Sequence, residues 1–371
     1  MHLQTLILQN FRNHESLSIA FPKEGALFEG SNGAGKSNIL EGIHLLCTGR
    51  SQRGAARADM IAYGREAAFV SGEFCFDDCG GDDGGVTVQS AALGFSRDKK
   101  TVMKINGDNV GSYAEWFGER PAVSFGADDL ELVYGAPEAR RKFLDMLISQ
   151  TDRAYLSALM SYRRAMACRN ALLGKTNDAM QFEVYEQAMA ETAAKLVFAR
   201  VEAVRELSAL TEGFYAEISG GAEAAVVEYA PKIKNDNFDT GDWQKAYLIS
   251  LAQRRERDAE LMYTALGPHR DDLRFTMGGR AAKGHASQGQ CRSFALSLKL
   301  ASARFIEQKR GGGMVFLVDD AVSELDPERT SRVYPLLEGR GQVFIATPRC
   351  QATLGGRVLR CVVNSGRVTT A

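Results

Sequence analysis

The sequence has no apolar run long enough to span a bilayer, and Met1 to Asn10 lacks the cationic start and apolar core of a secretory leader, so a soluble, cytoplasmic protein is expected. An excess of one charge sign is also missing. The 45 basic and 46 acidic residues leave a formal net charge of -1, so any nucleic-acid contact has to come from a local basic patch, not a global field. With 8 prolines there is no proline-rich linker, and no internal repeat or low-complexity tract interrupts the chain. The 7 cysteines are scattered, odd in number, and lie in a chain too long to need disulfide staples, so reduced thiols are expected. Cys75 and Cys79 have no second cysteine or histidine pair nearby, and an acidic, glycine-rich turn over Asp77 to Gly85 is expected in place of a zinc site. What is present is ordinary globular material: 371 residues, 45% hydrophobic, enough for one large core or two domains.

Alternation predicts strands over Leu3–Leu8 and Leu17–Phe21, and a third at Ala26–Phe28 that runs into a glycine-rich loop. Ile39, Leu40, Ile43, Leu46 and Cys47 then recur at helical spacing, which gives the order strand, loop, helix. A β-rich segment follows over Ala67–Phe76, Val86–Phe95 and Val102–Ile105, with Asn106-Gly107 as a hairpin turn. After Asp128 the period becomes helical over Glu138–Gln150, Arg153–Leu173 and Phe182–Ile218, with Gly174–Asp178 as the turn between two antiparallel helices and Gly220-Gly221 as the stop. Val226–Tyr229 reads as a strand and Asp242–Thr264 and Phe294–Gln308 as helices. Met314–Val318 reads as a central buried strand and Gln342–Ala346 as the final one. The expected architecture is α/β: a P-loop ATPase head of the ABC type with an inserted helical arm. Residues 1–127 and 226–371 form the head and 128–225 the arm.

Gly30-Ser31-Asn32-Gly33-Ala34-Gly35-Lys36-Ser37 fits G-x-x-x-x-G-K-S/T in the strand-loop-helix context that a phosphate-binding loop requires. Its glycines let backbone N–H groups curl around phosphates, Lys36 reaches the β and γ oxygens, and Ser37 offers its hydroxyl to Mg²⁺. The apolar strand ending in Asp319-Asp320 presents two carboxylates at the sheet edge. Asp319 is expected to hold Mg²⁺, and Asp320 to orient or deprotonate the attacking water. Ser287-Gln288-Gly289-Gln290 and Ser323-Glu-Leu-Asp326-Pro327 flank that strand. Alone, the first also fits a helix cap and the second a turn. Together with the loop they resemble the signature and D-loop motifs of ABC ATPases, in which one subunit's signature caps the γ-phosphate held by its partner. A single site does not need two phosphate cradles, which argues for a two-fold dimer.

The whole chain is similar to the RecF family of bacterial recombination mediators. The likeness rests on Leu8-Gln-Asn-Phe-Arg12-Asn13, the phosphate loop with Asn38-Ile-Leu-Glu41, Ser124 to Arg141, Gly267-Pro-His-Arg-Asp-Asp-Leu273 and Ser287 to Gln290. The resemblance implies ATP and Mg²⁺ as cofactors, with Arg12 and Asn13 also in the ATP site. It further implies ATP-dependent homodimerisation, a weak DNA-stimulated ATPase, and action at DNA gaps together with RecR and RecO, without a membrane. Cys291 stands where the family usually has glutamine, and Gly126-Ala127 where it has a proline-acid pair. Thr347 replaces the γ-phosphate-sensing histidine of transporter relatives, and Asp320 is one methylene shorter than their glutamate, so slow turnover is expected.

Arg140, Arg141, Arg163 and Arg164, with Arg169 and Lys175, form a candidate DNA patch; on charge alone a solvated helix face fits as well, and the resemblance favours DNA. A transporter subunit would lack the long insertion and carry the histidine. An SMC-like tether would need hundreds of coiled-coil residues, and a P-loop kinase an acceptor site.

Overall fold

The computed structural model describes residues 1–77, 85–176, 178–221, 223–233, 239–320, 325–337, 341–348 and 358–370. In chain order the first elements are β1 (His2–Phe11), β2 (His14–Ala20), β3 (Gly25–Glu29), α1 (Lys36–Thr48), β4 (Ala67–Asp77), β5 (Val86–Ser96), β6 (Thr101–Ile105) and β7 (Asp108–Asn109). Then come α2 (Tyr113–Trp116), β8 (Ala122–Gly126), α3 (Glu131–Tyr134), α4 (Pro137–Ser149), α5 (Arg153–Leu172), α6 (Ala179–Ser219) and β9 (Ala225–Ala230). The remainder is α7 (Thr240–Gln253), α8 (Arg255–Leu261), β10 (Asp272–Met277), β11 (Arg280–Ala281), α9 (Ala282–His285), α10 (Gln288–Arg310), β12 (Val315–Asp319), α11 (Pro327–Leu337), β13 (Gln342–Thr347), β14 (Leu359–Asn364) and β15 (Arg367–Thr370).

The chain divides into two compact units, Met1–Leu130 with Gly213–Ala222 and Ser287–Ala371, and Glu131–Glu212 with Glu223–Ala286. The expected arm boundary at 128 lies close to the first break. The second break corrects the expectation, because 226–286 belongs with the arm helices and not with the head. What ties it to the arm helices are long-range contacts, Arg140 of α4 on Asp272 of β10 and Arg200 of α6 on the Pro268 carbonyl, which leave no trace in local periodicity.

The first unit holds two sheets. One runs β2-β1-β4-β5-β6-β7 and is antiparallel; the other runs β15-β14-β3-β13-β12-β8 and is parallel except for the β14–β15 hairpin. Helix α1 packs on strands of both, so nearly every side of it is buried, and its apolar positions merge with Leu6, Leu8, Phe28, Leu317 and Phe344 into one core. β12 is apolar on both faces because it is central and parallel. β14 and β15 correct the expectation that β13 is the last strand. Their alternation, half exposed on one face, is weaker than that of a central strand.

The second unit carries the sheet β11-β10-β9 and helices α3 to α9, apart from the last turns of α6. The helix expected over Asp242–Thr264 breaks at Arg254 into α7 and α8. Inside it, the fully buried Arg169 pairs with Glu186 at 3.1 Å and Asp258 at 2.8 Å, both also 0% exposed, and donates to Thr264 Oγ1. Arg200 donates to Asp145 at 2.8 Å, to the Tyr155 hydroxyl and to the Pro268 carbonyl. Buried charges survive only when paired and hydrogen-bonded, so these networks fix the helices to one another in a single register. Among the described residues no helix is long and apolar enough to cross a membrane, and no group of three or more His, Cys, Asp or Glu is placed to hold a metal ion. The described cysteines 47, 75, 168, 291 and 361 are thiols, not disulfides; Cys79, Cys350 and most of the expected 77–85 turn lie outside the described residues.

Replacing Arg169 by methionine leaves Asp258 buried without its cation and is expected to cost roughly 3–5 kcal/mol of unfolding free energy. Urea denaturation measures it; a loss below about 1 kcal/mol would mean that the pair behaves like a solvent-screened surface bridge.

Candidate functional site

The loop Gly30–Gly35 leaves the end of β3 and enters α1 at Gly35, whose φ of 115° is a left-handed value that only glycine adopts without strain. A Cβ on Gly35 would lie 2.6 Å from the Asn13 side chain, and one on Gly30 would lie 2.2 Å from the Val363 carbonyl of β14. The loop backbone is thus pressed between the β1–β2 turn and the C-terminal hairpin. Asn13 Nδ2 donates to the Ala34 carbonyl at 3.0 Å, and Gly366 N–H donates to the same carbonyl at 2.9 Å. The buried His14 ring lies with Nε2 3.1 Å from the Gly35 carbonyl and Nδ1 2.8 Å from that of Gly366, bridging the two clamps. No side chain caps α1 and no acidic residue lies in its first turn, which leaves its positive end for an anion.

Lys36 is buried, with Nζ donating to the carbonyls of Gly30 at 2.7 Å and Ser31 at 3.1 Å, so its ammonium is held across the mouth of the loop. Ser37 Oγ donates to Asp319 Oδ1 at 2.6 Å and joins the two motifs across 282 residues of chain. The parallel order β3-β13-β12 sets this meeting: both motifs emerge at the carboxyl ends of strands, one strand apart. Asp320 follows at φ 54° with its N–H on the Ala346 carbonyl, so the chain turns sharply away from β12. Thr347 ends β13 between the two motif strands, in register with Glu29.

Gly30 to Ser37, Asn13, Asp319 and Asp320 therefore meet at one sheet edge. Arg12 is positioned differently: its guanidinium grips the buried Glu41 of α1 through Nε at 2.8 Å and Nη2 at 2.9 Å, and the Asp59 carbonyl through Nη1. Sequence reasoning missed three participants. Arg53 reaches Asp319 Oδ2 at 3.4 Å and Asn38 at 3.3 Å, and His14 and Gly366 hold the loop. None of the three stands in a motif; only the fold brings them in.

Ser287 caps α10 in a reciprocal box: its Oγ accepts from Gln290 N–H at 3.2 Å and the Gln290 side chain accepts from Ser287 N–H at 2.8 Å. The Ser287 hydroxyl still has its own hydrogen to donate to a ligand. Gln288 and Gly289 form the first turn. Asp326 Oδ1 accepts from Arg329 N–H at 2.9 Å at the start of α11; Ser323 and Glu324 lie outside the described residues.

The candidate DNA patch divides. Arg140 is withdrawn as a DNA contact, because it is 5% exposed and held by both Asp272 oxygens at 2.7 and 3.0 Å. Arg169 is withdrawn for its place in the buried network. Arg141 is half-buried and donates to the Asp271 carbonyl, whereas Arg163 remains 54% exposed beside Asp145 and Arg164 is exposed.

The Gly267–Leu273 string is a scaffold. His269 Nε2 lies 2.9 Å from the Thr264 carbonyl and Nδ1 2.6 Å from the Tyr162 hydroxyl, Asp271 accepts from Tyr229 and from Lys232 N–H, and Asp272 holds Arg140. Burial pushes the His269 imidazole down to about 4 and raises the Asp271 carboxyl and the Tyr162 phenol. Burial likewise lowers His44 of α1 to about 4.

A family model described as the RecF/RecN/SMC N terminal domain matches residues 2–367. The DNA replication and repair protein RecF of Rippkaea orientalis is 33% identical over 361 residues, 94% of this chain and 93% of that one. That of Symbiobacterium thermophilum is 36% identical over 348 residues, covering 93% and 91%. A solved structure of the recombination mediator RecF with ATP, of the RecFOR pathway, superimposes with a TM-score of 0.89 at 28% identity over 100% of this chain and 97% of that chain. The Smc head bound to the C-winged helix domain of ScpA gives 0.59 at 16% identity, a likeness of fold alone.

A histidine kept neutral by the fold binds a proton more readily once unfolded. Stability is therefore full above the ordinary value of 6.5 and falls as pH drops from there toward about 4, by at most roughly 3 kcal/mol for His269. Urea midpoints across that range should show a shallower acid-side decline in His269→Gln than in wild type; parallel declines would contradict the assignment.

Proposed function

The chain belongs to the RecF family of DNA replication and repair proteins, and from that premise we propose that it is an ATP-dependent DNA-binding ATPase that closes as a dimer around ATP and opens after hydrolysis. The observation that carries the reading is the 2.6 Å bond from Ser37 to Asp319, which sets a hydroxyl and a carboxylate side by side at the foot of a glycine loop. Hard oxygen donors of this kind suit Mg²⁺, which binds through one or two carboxylates together with substrate phosphates and keeps several waters. Ser37 and Asp319 would hold such an ion, which would supply positive charge to the bound phosphates. Lys36 supplies a fixed positive charge to the same oxygens, and the uncapped start of α1 adds its dipole. Asp320 accepts the proton of the attacking water or orients it. Arg53, at 3.4 Å from Asp319, adds a second cation beside that carboxylate.

The second phosphate cradle, Ser287 to Gln290, supports a dimer in which each γ-phosphate is held by the loop of one protomer and capped by the Ser287 turn of the other, with Asp326 in the adjoining D-loop segment. Thr347 in place of a sensing histidine and the shorter Asp320 support slow turnover, and the family resemblance supports its stimulation by DNA. The DNA reading rests on Arg141, Arg163 and Arg164, with RecR and RecO as partners at single-strand gaps where recombinase is loaded. Contacts of this type fix phosphates and give binding with little sequence preference.

Lys36→Met is expected to abolish binding of a fluorescent ATP analogue, while Ser287→Arg keeps binding but stays monomeric in light scattering with ATP. Dimerisation of Ser287→Arg at wild-type level would overturn the two-cradle reading. Reversal of Arg163 and Arg164 to glutamate should weaken gapped-DNA affinity by about tenfold or more at low salt and flatten its salt dependence; an unchanged salt slope would exclude this patch.

A further inference from the structure

The two motifs that face outward, Ser287–Gln290 and Asp326, are tied together within one protomer by a residue that belongs to neither. Arg329 stands on the first turn of α11, its side chain 27% exposed, with Nε 3.3 Å from Asp326 Oδ2. Its own backbone N–H donates to Asp326 Oδ1, so both oxygens of that carboxylate are engaged by a single residue. The other end of the guanidinium rests on α10: a Cβ built on Gly289 would lie 2.9 Å from Arg329 Nη1. Gly289 has no positive φ, so backbone conformation does not require glycine there. The space a side chain would take is filled by Arg329.

We propose that Arg329 is a positioning residue that fastens the Asp326 segment to the phosphate-capping turn, so that a γ-phosphate arriving from the partner's loop is met by both as one unit. The proposal rests on the two-cradle reading above. Two physical effects follow from the geometry. The guanidinium neutralises Asp326, a carboxylate that would otherwise repel the incoming phosphate. Its rigid plane also spans the gap between α10 and α11, which the point charge of a lysine does not reproduce. A glycine at position 289 is then needed because of an arginine 40 positions later, a dependence between two motifs that neither motif contains.

A methyl group at position 289 meets only the flexible tip of Arg329, so Gly289→Ala leaves the fold intact and moves the guanidinium off Asp326. Gly289→Ala and Arg329→Ala therefore produce the same lesion. In the full-length protein each single variant is expected to lower kcat for ATP hydrolysis and ATP-dependent dimerisation by about tenfold while the KM for ATP changes less than about twofold, and the double variant should fall within about twofold of either single one. Arg329→Lys should remain impaired. Thermal melting checks that each variant is folded. Additive losses in the double variant, or wild-type kcat in Arg329→Ala, would overturn the proposal while leaving the two-cradle reading in place. A wild-type protein that stays monomeric with ATP would overturn both.

Discussion

The rest of the site depends on how closely the phosphate loop is packed. Its backbone is wedged between the β1–β2 turn and the β14–β15 turn, so closely that neither Gly30 nor Gly35 has room for a methyl group. His14 and Asn13 hold it from one side and Gly366 from the other. A loop held this way does not need a ligand to set its shape, and preorganised donors cost little reorganisation when a phosphate arrives. The consequences run outward. Lys36 is held across the loop mouth by two loop carbonyls, Ser37 is aligned on Asp319, and α1 starts without a cap, buried between two sheets. The last strands of the chain thereby hold the glycine loop in place, although they carry none of its motif residues.

Charge does two different jobs in the second unit. Arg140, Arg169 and Arg200 lie inside, each paired with carboxylates, and hold helices and the Gly267–Leu273 turn in place. Arg164 and much of Arg163 stand in solvent. In the sequence Arg163, Arg164 and Arg169 share one stretch of helix and look alike. Helical rotation separates them: Arg169 faces the core with Tyr162 and Ala165, whereas Arg163 and Arg164 point away from it. A count of basic residues overstates the surface field for that reason.

The signature turn also serves twice. Ser287 and Gln290 complete a capping box for α10, and Asp326 caps α11, so residues assigned to a partner's phosphate are first of all helix starts. The two roles are compatible because a capping hydroxyl accepts from the backbone and keeps its hydrogen for a ligand. A helix start that is both rigid and electropositive is a good place to meet a phosphate.

The sequence by itself determined the phosphate loop, the carboxylate pair after β12 and the capping turn of α10. Each is a run of adjacent residues whose chemistry and local conformation are set by near neighbours, and periodicity placed them correctly on strand ends and helix starts. It also showed the helical insertion, since α4, α5 and α6 are long amphipathic stretches. Tertiary structure alone decided which residues complete the site and which charges face water. His14, Arg53, Gly366 and Arg329 act through contacts with residues tens to hundreds of positions away, and the second unit extends to Ala286 because Arg140 and Arg200 of the arm helices are held by Asp272 and the Pro268 carbonyl. Short-range patterns encode the conformation of a segment, whereas burial and ion pairing depend on what folds against it, which only the tertiary structure of each unit sets.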